Sequence, residues 1–367
     1  MTSSFRPVLH SFFALGMLLP LLTGCQKAEE QAASVTASEA QAKTEAKSEP
    51  AAQAAPTKVD YQAANELGRV PVLEYHRFGP VEERWTRTYD NFRKDLEWLY
   101  NNDYVLVNAS DFAAGKLNVP GGKKPAILTF DDSTEGQFKY QHGADGSVKR
   151  DAQGKPLLDP NCAIAIMDAF YAKHPDFGRA GTFYILPGAF ETPKETAEKL
   201  KYLVATGREI GSHTFNHANL SKLQPAQIRE NLAKAQAEVA RELGSSFTFD
   251  TLALPFGIFP KSDEGFQAVI KGAFGEQNYH HRAVMLVGAD PAPSPFDKKY
   301  NSAKVPRIQA IDDEWIRHFA RKPGATARNE ERFRPFVSDG DPQKVTFPAK
   351  FQDRLAEKFA PQANAVN

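Results

Sequence analysis

Cysteine is scarce in this chain: Cys25 and Cys162 are the only two among 367 residues. A disulfide framework is therefore not what holds the fold together. Cys162 lies in "NCAIAIMDAF", an apolar stretch at helical spacing, and reads as a small buried hydrophobe rather than a nucleophile. Net charge is also absent, since Lys+Arg and Asp+Glu both number 45. No global field marks the chain for nucleic acid or for an acidic partner. The longest apolar run, "SFFALGMLLPLL", has about a dozen residues and is too short to span a bilayer as a permanent helix. No GxGxxG follows the first predicted strand, so nothing suggests a dinucleotide site. No internal repeat of useful length is visible. Apolar side chains, by contrast, are plentiful. At 41% hydrophobic, with 26 Phe, the chain can bury one large core or two ordinary ones.

The first residues combine Arg6, the short apolar run and Leu22-Thr23-Gly24-Cys25, which together read as a secretory signal. The last four resemble a bacterial lipobox. That resemblance implies cleavage before Cys25, lipidation of its thiol and anchorage on a membrane rather than passage through it. Gln26 after the cysteine, where Asp would favour inner-membrane retention, points to the outer membrane and its periplasmic face in a cell that has one. Residues 26–57 are almost entirely Ala, Gln, Glu, Lys, Ser and Thr, a composition that cannot bury enough surface to fold. The expected plan is a signal over 1–24, a lipidated Cys25 and tether over 25–66, a folded unit over 67–321 and an extension over 322–367.

From residue 68 onward, short apolar strands alternate with amphipathic helices. Strands are predicted at 70–76, 104–107, 125–130, 181–186, 209–213, 249–255, 282–287 and 303–308. Helices are predicted near 89–102, 109–115, 163–173, 194–206, 224–243, 261–272 and 312–320. This βα alternation predicts a parallel sheet covered by helices, and its length suits an incomplete (β/α) barrel. In such barrels the chemistry sits at the carboxyl ends of the strands.

Several polar groups fall at those ends. "AILTF" runs into Asp131 and Asp132, two like charges side by side. "SHTFNH" places His213 and His217 four residues apart, so one helical turn would bring both imidazoles onto one face. Two neutral imidazoles suit a divalent transition metal, and Asp132 could complete a two-His, one-carboxylate face. "LALPFG" turns at Pro255 and Gly257 and can shape a pocket wall. His76 ends the first strand and is placed to line the same pocket. The polar insertion 138–162 follows "TFDD" on the same rim.

In their order, "TFDD", "FYIL", "HTFNH" and "LALPFG" resemble the polysaccharide deacetylase family, carbohydrate esterase family 4, over residues 70–310. "VPVLEYHRF" and "KVPRI" are similar to branches that act on envelope or biofilm polysaccharides. The resemblance implies a distorted (β/α) barrel, with Asp131 as catalytic base and Asp132, His213 and His217 as metal ligands. It implies zinc first, while the ligand set also admits Co, Ni or Mn. The substrate it implies is an N-acetylated amino-sugar polymer of the peptidoglycan or poly-N-acetylglucosamine type, with Pro255 and Phe256 beside it. No nucleic acid and no protein partner is expected.

Two departures stand out. The family's Arg before the "PF" turn is replaced by Ala253, and Arg307 in "VPRI" is the candidate to supply that cation. The family's late Leu-x-His is absent, with Gly288 where the His would fall. His280, His281 and His318 are possible substitutes, and the general acid stays unassigned. Trp85, Tyr89, Phe138 and Tyr140 could form sugar platforms or belong to the core. An O-acetyl esterase is the alternative activity, and an inactive carbohydrate-binding lipoprotein the alternative class.

Overall fold

The computed structural model describes residues 63–288, 290–311 and 334–367. Cys25 with its signal, the tether to residue 62, the helix expected at 312–320 and His318 lie outside the described residues.

The apolar runs form one sheet: β1 Val72–Tyr75, β2 Tyr104–Leu106, β3 Lys124–Phe130, β4 Thr182–Ile185, β5 Glu209–Ser212, β6 Thr251–Ala253, β7 Ala283–Met285 and β8 Ile308–Gln309. The spatial order is β7-β6-β5-β4-β3-β1-β8, with β2 along the first half of β3. Every pairing is parallel. Val305 bridges Met285 on one edge, and three residues later β8 pairs with Leu73 and Glu74 on the other. A single segment thus carries the sheet from one edge to the other and curls it into the expected (β/α) barrel.

Some of the helices start where their sequences supply caps. In α1, Tyr89–Asn101, Thr88 accepts the Asn91 N–H at 3.2 Å, and Phe92, Leu96 and Leu99 at helical spacing face the core. The later helices are α2 Ala109–Ala114, α3 Ala163–Lys173, α4 Thr196–Ala205, α5 Pro225–Leu243 and α6 Asp263–Ile270. Pro225 opens α5, and the Gln224 N–H donates to Gln227 Oε1 at 2.9 Å. Phe130, the last residue of β3, stacks between Tyr75 at 5.5 Å and Phe183 at 4.4 Å. Tyr75 and Phe130 also meet Phe92 of α1 edge-on, so these rings fill the layer between the sheet and its helices.

Three segments differ from expectation or add to it. Residues 271–280 form an antiparallel hairpin after α6, turned at Gly275 with φ 59°, where the helical pattern ran on to 272. In the insertion, Gln141, Lys149 and Leu157 link their backbones in a closed triangle of 2.8 Å hydrogen bonds, an eight-residue spacing at which Ala144 and Ala152, and Gly146 and Gly154, also recur. Arg150 and His142 fasten it to α4 through Glu198 at 2.8 Å and Glu195 at 2.7 Å. Beyond residue 334 the chain is core material, with Phe336, Val345, Phe347 and Phe351 packed with Val70, Val72 and Ile127.

Glu66 ties this last segment down. Its Oε2 accepts the Thr346 N–H at 2.8 Å, and its Oε1 accepts from Ser338 Oγ and the Asp339 N–H at 3.3 Å. Burial, reinforced by the Asp339 charge, pushes its carboxyl up from 4.5 to about 8. A raised acid stabilises the fold most below its unfolded value and loses that contribution as pH rises through the folded one. The urea midpoint is therefore expected to fall between pH 5 and pH 8.5, and Glu66→Gln to flatten that slope. Parallel profiles in both proteins would refute the assignment.

Candidate active site

At the end of β3 the backbone leaves extended geometry abruptly. Asp132 and Ser133 take φ of 70° and 46°, a left-handed conformation that costs non-glycine residues of order 1–3 kcal/mol each. Surrounding bonds impose it. Ser133 Oγ accepts the Leu186 N–H at 3.1 Å, and Gln137 Nε2 donates to the carbonyls of Asp131 and His76. The turn sends the two adjacent carboxylates in different directions. Asp131 points into the barrel and is buried, whereas Asp132 faces β5.

Asp132 Oδ1 meets His213 Nε2 at 3.2 Å and His217 Nε2 at 3.4 Å. The two imidazoles are brought together by a turn, not by the helical turn that their spacing suggested. Thr214 and His217 have φ of 69° and 54°. From α5, Asn231 holds the turn, accepting the Phe215 N–H at 2.9 Å and donating to Asn216 Oδ1 at 2.8 Å. His213 Nδ1 lies 2.9 Å from the carbonyl of Ala253. As a donor there, it leaves the Nε2 lone pair directed at Asp132 and His217. Ligands on a tetrahedral zinc with bonds of about 2.0–2.1 Å stand about 3.3–3.4 Å apart, so this donor set fits such an ion.

Asp131 is held from the opposite side. Arg307 Nη1 and Nη2 each donate to one of its oxygens at 2.7 Å, a two-bond clamp in which both residues are buried. Arg307 is fixed in turn by the Leu286 carbonyl at 2.7 Å and by Thr129 Oγ1 at 3.1 Å. Burial alone would raise the Asp131 carboxyl, but the guanidinium outweighs it and holds Asp131 well below the usual carboxylate range. Arg307 thus sets a cation against Asp131 from the segment just before β8, not from the end of a strand as its sequence position suggested. Its backbone also explains the missing Leu-x-His. A Cβ on Gly288 would come within 2.7 Å of the Arg307 carbonyl oxygen, so no side chain fits there.

His76 Nε2 lies 4.0 Å from Asp131 Oδ2 and 3.5 Å from Glu74 Oε1, and its ring leans on Trp85 with centroids 4.6 Å apart. Glu74 was not singled out in the sequence. It is fully buried in β1, 3.4 Å from Arg307 Nη2, and burial raises its carboxyl to about 7 against the pull of Arg307. The signal was present as one Glu inside the apolar "VLEYH". Among the described residues, Glu74, His76 and Asp131 form a second convergent group of metal-ligating types. Arg307 stands inside this group, donating to Asp131 and lying 3.4 Å from Glu74, so an ion there would meet a fixed positive charge.

Phe256, with φ 62° and 55% of its surface exposed, sets its ring 4.8 Å from His217, while Pro255 before it is buried. The pair forms one wall of the opening. Phe138 and Tyr140 are buried core residues and are not sugar platforms. Tyr89 is partly buried against the same core, which leaves Trp85 as the platform candidate beside the site. His281 is buried with its Nδ1 on the Val269 carbonyl, and His280 is exposed on the hairpin. Neither is among the groups gathered around Asp131.

Residues 176–265 match the family model described as polysaccharide deacetylase. No curated protein matches the sequence. Among solved structures, the chain is similar to a Bacillus cereus polysaccharide deacetylase, with 17% identity and a TM-score of 0.48 over 68% of this chain and 67% of that one. A Streptococcus pyogenes deacetylase in complex with acetate aligns at 17% identity and a TM-score of 0.45, covering 66% and 92%. IcaB from Ammonifex degensii aligns at 19% and 0.44, covering 68% and 94%.

Proposed function

We propose that this chain, which carries a polysaccharide deacetylase domain, is a metal-dependent hydrolase removing N-acetyl groups from an amino-sugar polymer of the cell envelope or extracellular matrix. The observation that carries the reading is the split of Asp131 and Asp132 between two tasks. Asp132 joins His213 and His217 in a metal-ligating trio, and Asp131 stands beside them clamped to a buried arginine. The signal sequence and Cys25 would put this unit on a lipid anchor at the membrane surface.

A divalent metal held by Asp132, His213 and His217, zinc first, supplies Lewis acidity and lowers the pKa of a water at this site. Asp131 is the base that takes the proton of the attacking water. Arg307 keeps Asp131 ionised and aims it, because two in-plane hydrogen bonds leave the carboxylate no freedom to rotate. The departing nitrogen needs a proton, and among the described residues His76 is the imidazole nearest Asp131 outside the ligand trio. We assign it that role. Phe256 and Trp85 flank the opening and offer apolar faces to a sugar ring.

Acetate release from chitooligosaccharides, peptidoglycan and acetylated xylan, with elemental analysis of the purified protein, tests the reading. Release from the N-acetylated polymers is expected, and release from xylan alone would favour the esterase. His217→Ala is expected to lose metal and activity together, because its imidazole is one of only three protein ligands. Native protein without divalent metal would overturn the proposal.

A further inference from the structure

One charged side chain outside the site is enclosed as closely as those within it. Lys199, in the first half of α4, is fully buried together with its ammonium. Three rings surround it, with Nζ 5.5 Å from the centroid of Phe138, 5.3 Å from Tyr140 and 5.8 Å from Phe190. Phe138 and Tyr140 belong to the insertion, and Phe190 to the loop between β4 and α4. Taking an ammonium out of water is costly unless its partners are fixed in place. Its partners here form a path to the metal ligands. Nζ donates to Thr192 Oγ1 at 2.6 Å and pairs with Glu195 Oε2 at 3.0 Å. Thr192 Oγ1 donates in turn to the Phe190 carbonyl at 3.2 Å, and the Phe190 N–H donates to the Ser133 carbonyl at 2.6 Å. Ser133 is the neighbour of Asp132 in the strained turn after β3. Phe190 and Glu191 are left-handed as well, with φ of 63° and 56°, so the loop that reaches Ser133 does not keep this shape by its own preference.

We infer that Lys199 is a positioning residue for the metal site: through Thr192 and Phe190 it fixes the loop that pins Ser133, and so keeps Asp132 facing His213 and His217. The inference rests on the reading of those three residues as metal ligands. It also gives the insertion a task. Phe138 and Tyr140 close the cage around the ammonium, and His142, 2.7 Å from Glu195, holds its second partner. Lys199 touches neither the ligand trio nor the opening. Its effect is on geometry: once the Ser133 carbonyl is released, the turn can relax and swing the Asp132 carboxylate away from the imidazoles. That weakens the hold on an ion before any chemistry begins. Groups that orient metal ligands from outside typically govern affinity by about 10- to 100-fold.

The test measures zinc affinity of the native full-length protein and its variants by competition with a chromophoric chelator, with no substrate present. Thr192→Val removes the hydroxyl that links Lys199 to Phe190 but leaves the ammonium its Glu195 partner. It should weaken zinc binding about tenfold, the lower end of what outer groups contribute. Thr192→Ser keeps the hydroxyl and should bind zinc within about twofold of the native protein. Lys199→Met should lose at least as much affinity as Thr192→Val. Arg354→Met, which breaks the ion pair of the final segment with Asp297 at 2.7 Å, controls for general loosening of the fold and should leave zinc affinity unchanged. If Lys199→Met fails to fold, the two Thr192 variants still decide. Native affinity in Thr192→Val overturns the inference, as does native affinity in a folded Lys199→Met. An equal loss in Thr192→Ser or in Arg354→Met also overturns it, because the hydroxyl path would then not be the cause. Native protein that binds no divalent metal overturns the functional reading and this inference with it.

Discussion

Asp131→Asn is expected to release acetate about 1,000-fold more slowly than the native protein while binding the same amount of metal, since a positioned general base contributes between about 100- and 10,000-fold. The substitution keeps the shape of the side chain and one acceptor for Arg307, but an amide cannot take a proton from water. The ligand trio is untouched, because Asp131 lies on the far side of the Asp132 turn and its oxygens face Arg307. Metal content by elemental analysis and acetate release on one preparation would show the separation. A variant within tenfold of native turnover would remove Asp131 from the base role. The depressed carboxyl of Asp131 does not argue against that role. A base needs driving force relative to its acid, and the ligand trio provides for an acidified water in the same pocket. Arg307 also ensures that the carboxylate is never protonated beforehand near neutral pH.

How far the site could be read in advance depended on where its parts lie in the chain. Asp131, Asp132, His213 and His217 stand in short contiguous stretches at the ends of apolar strands, and parallel strands in one barrel bring their ends to one rim. Topology alone then assembles the metal trio. Arg307 was picked out for a different reason, the absence of a cation at Ala253, and in the fold it stands not at a strand's carboxyl end but just before β8. The histidine pair was found for an imperfect reason, since spacing of four matters only on a helix and the chain here is a strained turn held by Asn231. Glu74 escaped because a charge inside a strand reads as a solvent-facing position until the barrel closes around it. Phe138 and Tyr140 could not be sorted into wall or core without knowing that the insertion folds back on α4. The final segment looked inert because its few apolar residues, Phe336, Val345, Phe347 and Phe351, are too widely spaced to show periodicity. Their core is shared with strands more than two hundred residues earlier.

The second large effect is expected at Arg307. Arg307→Met replaces the guanidinium with an apolar side chain of similar reach and leaves Asp131 and Glu74 buried without their cation. Removing one partner of a buried ion pair typically costs about 3–5 kcal/mol, because the remaining charge keeps its desolvation penalty. A urea melt should show a loss of that size, with acetate release abolished as well, since Asp131 is then neither aimed nor held ionised. Arg307→Lys should not restore turnover, because one ammonium cannot make two in-plane bonds to a carboxylate. Stability and activity should then part company in the double variant. Adding Asp131→Asn to Arg307→Met removes the stranded charge, so the double variant should be more stable than Arg307→Met alone by about 1–3 kcal/mol, the usual coupling of contacting residues. It should remain inactive. An Arg307→Met protein as stable as the native one would mean that Asp131 and Glu74 are not paired charges, and the clamp would lose its role. A double variant no more stable than Arg307→Met would place the damage in packing around Thr129 and Leu286 instead of in the stranded carboxylate.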